Sequence, residues 1–276
     1  GDGKDSLRAD GRFTNTTTRN QEYVQNGKAT LIGGEGNDEL YATSYLSADL
    51  FGGEGDDRLY DNEGWGQGVI NSRLFGGAGN DQLNARINGD NASRNTLGST
   101  NQLNQSAVLN GGIGNDNLYT NIDYIYRSHR SITANSDGGD GNDNIHVSGN
   151  AVTAGKSNIN ITGGLGNDNI TVTESSAGRT DQSTSRYGFS KVVIDAGADD
   201  DTITVQGSLN TSITTGSGAD TIRLTAHQYR TQQQGKRNLY DSNGRVNGTQ
   251  NADPITITDF TTGKGGDILD YSDLLK

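Results

Sequence analysis

Nine aspartates recur at one fixed place in a short glycine-rich pattern: Asp5, Asp38, Asp57, Asp81, Asp116, Asp143, Asp168, Asp201 and Asp220. Their spacing varies from 19 to 35 residues, so the repeat is kept in its turn and not in its length. The full form reads U-x-G-G-x-G-x-D-x-U, with U aliphatic. It is seen in "LIGGEGNDEL" from Leu31, "LFGGEGDDRL" from Leu50, "LFGGAGNDQL" from Leu74, "LNGGIGNDNL" from Leu109 and "ITGGLGNDNI" from Ile161. "SDGGDGNDNI" from Ser136 lacks only the first aliphatic, and the chain opens on a truncated copy, "GDGKDSL". Glycines permit positive φ and let backbone carbonyls converge in a tight turn. Converging carbonyls plus a carboxylate make a hard oxygen cage of the kind that calcium takes, with about 6–8 ligands at roughly 2.3–2.6 Å.

The expected ligand turns are Gly33, Gly34, Gly36 and Asp38; Gly52, Gly53, Gly55 and Asp57; Gly76, Gly77, Gly79 and Asp81; and Gly111, Gly112, Gly114 and Asp116. Further along come Gly138, Gly139, Gly141 and Asp143, then Gly163, Gly164, Gly166 and Asp168. Two weaker copies follow. In "IDAGADDDTI" Asp199 stands for the third glycine before Asp201, and in "ITTGSGADTI" Thr215 stands for the first, ahead of Gly216, Gly218 and Asp220. Cation binding at these two is the less secure expectation. The competing reading, glycine turns of a metal-free β-helix, has no need of an aspartate at one turn position.

The elements that must hold these turns are short strands. The flanking aliphatics lie nine residues apart, and each is expected to point inward from a strand entering or leaving the turn. Leu7, Leu40, Leu59, Leu83, Leu118, Ile145, Ile170, Ile203 and Ile222 are expected to stack as one core column. Leu31, Leu50, Leu74, Leu109, Ile161, Ile194 and Ile213 form a second, broken by Ser136. Rungs of a parallel stack sit about 4.8 Å apart. Two carboxylates at that interval repel by about 3.5 kcal/mol at an effective dielectric near 20, so the column calls for a counter-ion.

Composition agrees with a thin core held by something else. Only 29% of residues are hydrophobic, 41 are glycine and one is proline. The formal charge of −12 suits a cation and argues against nucleic acid as partner. Absent cysteine removes disulfides and thiol chemistry. No apolar run is long enough for a transmembrane helix, and no signal peptide is present.

These turns resemble the RTX nonapeptide, GGxGxDxUx, over about residues 1–223. The resemblance implies an all-β, right-handed parallel β-roll binding several Ca2+ ions between successive turns. It also implies export through type I secretion machinery and folding outside the cell, at an extracellular or bacterial cell-surface location. The chain departs from the family in carrying one motif per turn followed by a variable return, so calcium is expected along one edge only. Residues 224–276 form a second segment, in which "PITITDFTTGKGGDILDYSDLLK" from Pro254 resembles the C-terminal region of RTX adhesins and other type I substrates. There Ile257, Phe260, Ile268, Leu269 and Leu274 are expected to cap the roll, while Asp259, Asp267 and Asp270 face solvent or take a further calcium. Both ends look cut, which points to a larger parent protein.

Catalysis finds little support. His129, His146 and His227 fit no zinc-protease motif, and no nucleophile-elbow or phosphate-loop pattern occurs. His146 follows a motif aliphatic and is expected to face outward. "NIDYIYRSHR" (Asn121 to Arg130) is the one suggestive cluster. The variable edge carries Arg12, Arg19, Arg86, Arg94, Arg127, Arg130, Arg179 and Arg186, with Tyr23, Tyr124, Tyr126 and Tyr187, and Trp65 in a shorter return. Such residues favour contact, with a polysaccharide, a cell surface or further copies of the chain. The reading is therefore a non-enzymatic, calcium-binding structural module of an adhesin-like secreted protein. The alternatives are an S-layer or filament subunit and the accessory module of an exported enzyme.

Overall fold

The structure is a computed structural model that describes residues 2–10, 12–14, 21–23, 27–43, 46–62, 70–88, 104–125, 131–152, 156–175, 191–206, 210–225 and 255–275. From Gly33 onward, each glycine turn joins a strand of one parallel sheet to a strand of another. The entering strands form a nine-stranded sheet: Gly27–Glu35, Leu46–Glu54, Ile70–Ala78, Asn104–Ile113, Ser131–Asp140, Lys156–Leu165, Lys191–Ala198, Thr211–Thr214 and Ile255–Ile257. The leaving strands form a ten-stranded sheet: Ser6–Asp10, Glu39–Thr43, Arg58–Asn62, Gln82–Asn88, Asn117–Ile125, Asn144–Val152, Asn169–Ser175, Thr202–Gln206, Thr221–Thr225 and Ile268–Asp270. Strand order in both sheets follows chain order, so each motif adds one rung to a parallel all-β stack. A small antiparallel pair, Arg12–Thr14 with Gln21–Tyr23, stands apart. Among the described residues no helix is long and apolar enough to cross a membrane.

The register explains the hydrophobic spacing. Leu7, Leu40, Leu59, Leu83, Leu118, Ile145, Ile170, Ile203, Ile222 and Leu269 are successive partners in the ten-stranded sheet. From Leu40 to Ile222 they are fully buried. Facing them, Leu31, Leu50, Leu74, Leu109, Ser136, Ile161, Ile194, Ile213 and Ile257 run in register through the nine-stranded sheet. The break at Ser136 is repaired locally, for its hydroxyl lies 3.3 Å from that of buried Thr120. A slip of one residue in any strand would turn its inward set to solvent, so the aliphatic columns fix the register that aligns the turns.

The C-terminal segment completes a further rung. Ile255–Ile257 pairs with Thr211–Thr214, and Ile268–Asp270 pairs with Thr221–Thr225. Ile255, Ile257 and Phe260 pack against the core. Ile268 and Leu269 do not share in this: Ile268 points outward and is 58% exposed, and Leu269, although in register with buried Ile222, is 36% exposed because no further rung covers it.

Candidate metal centre

In every rung the motif aspartate closes the turn from inside. The backbone N–H of each donates to Oδ1 of the aspartate in the next rung: Asp5 to Asp38, Asp38 to Asp57, Asp57 to Asp81, Asp81 to Asp116 and Asp116 to Asp143, at 2.7–2.8 Å. The series continues through Asp168 and Asp201 to Asp220 at 2.8–2.9 Å. Oδ2 of Asp38, Asp57, Asp81, Asp116, Asp143, Asp168, Asp201 and Asp220 is buried and has no hydrogen-bond partner. A buried, unpartnered carboxylate oxygen is costly, and here the cost recurs eight times in a row.

What surrounds that oxygen follows from the three glycines, which serve different needs. In the rung of Asp81, a Cβ on Gly76 would stand 2.2 Å from Asp81 Oδ2 and 2.5 Å from the carbonyl oxygen of Gly111 in the next rung. Gly76 is therefore required by close packing, because a carboxylate oxygen and a neighbouring carbonyl oxygen both press against its Cα. Gly77 and Gly79 instead adopt φ of 117° and 131°, which turn the chain and stack it on the rung before. Gly33, Gly52, Gly111, Gly138 and Gly163 occupy the first place in their own rungs. All the sequence-expected ligand residues lie in this stack of turns.

The weaker copies differ in the first place. Ala196 and Thr215 stand where the others have glycine, so each places a side chain where the other rungs have none. Asp199 takes the third-glycine place with φ of 80°, and its Oδ2 accepts the N–H of Gly166 at 3.2 Å.

Electrostatics follow from burial. It raises the carboxyls of Asp57, Asp143 and Asp220, and lifts Asp116 to about 6 and Asp81, Asp168 and Asp201 to about 7. The bond from the preceding backbone N–H opposes the shift, and neighbouring carboxylates add to it. Near neutral pH the column is thus poised between proton uptake and a demand for positive charge.

A second ladder runs along the same edge at a place the sequence reading left open. The residue before the motif aspartate is Asn37, Asp56, Asn80, Asn115, Asn142, Asn167 or Asp200. Its Oδ1 accepts the backbone N–H of the equivalent residue in the following rung at 2.7–3.0 Å. The inner ladder donates forward along the chain and the outer one backward, so each junction is clasped from both sides. Asn or Asp at seven consecutive copies was the available signal.

At the last rung the inner ladder passes to the C-terminal segment. Asp220 N–H donates to Asp267 Oδ1 at 3.1 Å, which extends the inner ladder by one step. Asp267 Oδ2 accepts Thr261 N–H at 2.7 Å. Asp259 accepts the N–H groups of Thr215 and Gly216, each at 2.8 Å. Asp270 accepts Ser272 N–H at 3.0 Å and lies 3.5 Å from Arg223. The three carboxylates serve as backbone caps.

Among the described residues no group of three or more His, Cys, Asp or Glu side chains gathers to hold a metal. A cage here would rest on one carboxylate per rung with backbone carbonyls. Of the contact candidates, Arg19, Trp65, Arg94, Tyr126, Arg127, His129, Arg130, Arg179, Arg186, Tyr187 and His227 lie outside the described residues. His146 faces outward on its strand, half-buried, with Nε2 3.3 Å from the Thr173 hydroxyl, and burial holds its pKa below the usual value. In comparisons with known proteins, no family model matches the chain, and no curated protein or solved structure is significantly similar to it.

Proposed function

We propose that this chain is a calcium-binding structural module of an exported, adhesin-like bacterial protein, a right-handed parallel β-roll of the RTX type. The observation that supports it best is the row of buried Oδ2 atoms without partners, six of them packed on a first-place glycine against which a carbonyl oxygen of the next rung also packs. Oδ2 of Asp38, Asp57, Asp81, Asp116, Asp143 and Asp168, with the carbonyls of the turns, would hold the ions. Calcium would supply charge and oxygen coordination there, a role in folding and not in turnover. The same logic suits type I export: a chain whose carboxylate column repels itself at low calcium stays open for passage and closes outside. At calcium ten times its dissociation constant, each site adds about 1.4 kcal/mol.

The test is far-UV circular dichroism with calcium stoichiometry by titration calorimetry. A β-rich spectrum in millimolar calcium, lost in EDTA and not restored by equal magnesium, is expected. An identical spectrum in EDTA would overturn the reading.

A further inference from the structure

The outer face of the ten-stranded sheet carries a groove of about 740 Å³ that the turns do not use. Its floor is a register column: Arg8, Tyr41, Tyr60, Asn84, Tyr119 and His146 are successive partners on neighbouring strands. Tyr41 and Tyr60 stack, with ring centres 4.9 Å apart and planes 11° from parallel. Tyr119 and His146 are 6.3 Å apart and tilted. Asn84 interrupts the aromatic series. One ring is thus missing from the middle, and the strands that carry the tyrosines on either side lie two rungs, roughly 10 Å, apart.

That interval has a definite capacity. A six-membered ring touching both walls needs about 3.5–4.0 Å of van der Waals separation on each side, which two rungs supply with room for a puckered ring. Tyr60 is steadied by its hydroxyl on Gln82 Oε1 at 3.1 Å, and the Tyr119 hydroxyl lies 3.4 Å from Asn144 Nδ2. Asn84 lies between the walls, and Asn62, Arg86 and Asn121 form the next row along the groove. Amides offer paired donors and acceptors that match neighbouring hydroxyls. From Tyr41 to His146 the column itself holds no carboxylate, lysine or arginine, and burial lowers the pKa of His146.

We propose that this groove binds a neutral polysaccharide, with one pyranose ring seated between Tyr60 and Tyr119 over Asn84. A pyranose has an apolar C–H face for each tyrosine and an edge of hydroxyls for the amides. Arg8 at one end of the floor and Arg86 in the row beside it also line the groove, so the tyrosine walls and not the charge select a neutral ring, and an acidic chain is the comparison. The inference rests on the groove's own residues and not on the metal reading.

Calorimetry on the full chain, under conditions where circular dichroism shows it folded, tests this with cellohexaose, laminarihexaose and mannohexaose, and with polygalacturonate as the acidic comparison. At least one neutral oligosaccharide is expected to bind, and Tyr60→Ala or Tyr119→Ala to weaken it tenfold or more. Asn84→Tyr fills the gap with the side chain that the adjoining rungs already stack, so it is expected to fold and to lose binding. No neutral oligosaccharide bound at millimolar concentration, binding by polygalacturonate alone, or binding untouched in a folded Asn84→Tyr protein would each overturn the proposal.

Discussion

Replacing Asp81 by asparagine separates the two duties of a ladder carboxylate. Asparagine keeps the Oδ1 that accepts Asp57 N–H at 2.8 Å, and it removes the charge on the buried, unpartnered Oδ2. Burial lifts the Asp81 pKa from 3.8 to about 7. A folded-state pKa raised in this way adds stability that is complete below the unfolded value and is lost as pH rises through about 7. Three pKa units at about 1.4 kcal/mol each put the burden of the ionised group at about 4 kcal/mol in the metal-free fold. Asp81→Asn is therefore expected to stabilise the chelated protein at pH 8 by up to that amount. The gain should shrink at pH 5.5, which still lies above the isoelectric point of 4.6. In saturating calcium the sign reverses, because the variant lacks a ligand oxygen and one site's linkage energy, about 1.4 kcal/mol at ten times the dissociation constant. Urea unfolding followed by circular dichroism measures both, with trimethylamine N-oxide added to the chelated samples so that a folded baseline exists. A change of the same sign with and without calcium refutes the reasoning.

Other perturbations probe separate parts of the same account. Gly76→Ala places a methyl 2.2 Å from Asp81 Oδ2, so one calcium fewer by calorimetry and a loss of about 2–3 kcal/mol in calcium are expected. Ala196→Gly restores the first-place glycine to the rung of Asp201, and one additional calcium should bind. Asp61 is an inward acid whose register partners are Ala42 and Ala85; it accepts the Ser72 hydroxyl, and burial lifts it to about 7. The double change Asp61→Ala with Ser72→Ala should raise stability by about 2–4 kcal/mol at pH 8, less at pH 5.5, in thermal melts with calcium. Asp259→Ala strips the bonds from Thr215 and Gly216, and a loss of about 2–3 kcal/mol is expected, with hydrogen exchange first accelerated in the last two rungs.

The core was legible because one residue type at one offset from each motif aspartate decides it. Leu40, Leu59 and Leu83 follow Asp38, Asp57 and Asp81 by the same two residues, and variable returns cannot disturb that count. The same anchor carries the outer face: Tyr41, Tyr60, Asn84, Tyr119 and His146 each lie three residues past a motif aspartate. That column escaped notice because outward residues need not repeat in type, so no periodic signal drew attention to them. The Asn and Asp ladder was hidden for another reason. A side chain that accepts one N–H from the neighbouring rung works equally as amide or carboxylate, and mixed identities read as a free position.

The two ladders also explain why charge sits where it does. The outer ladder is mostly asparagine, which clasps the backbone at no electrostatic cost, and its exposed place lets the occasional Asp56 or Asp200 be solvated. The inner ladder performs the same clasp with aspartate at every rung, although asparagine would accept the same N–H from the same direction. Hydrogen bonding alone therefore does not account for the inner carboxylates. Burying eight unpartnered Oδ2 atoms destabilises the bare fold, and the arrangement makes physical sense only if something positive completes it. A proton serves in acid, and in the proposed reading calcium takes that part at neutral pH. A stack built this way has its stability set by the medium around it as much as by its thin core.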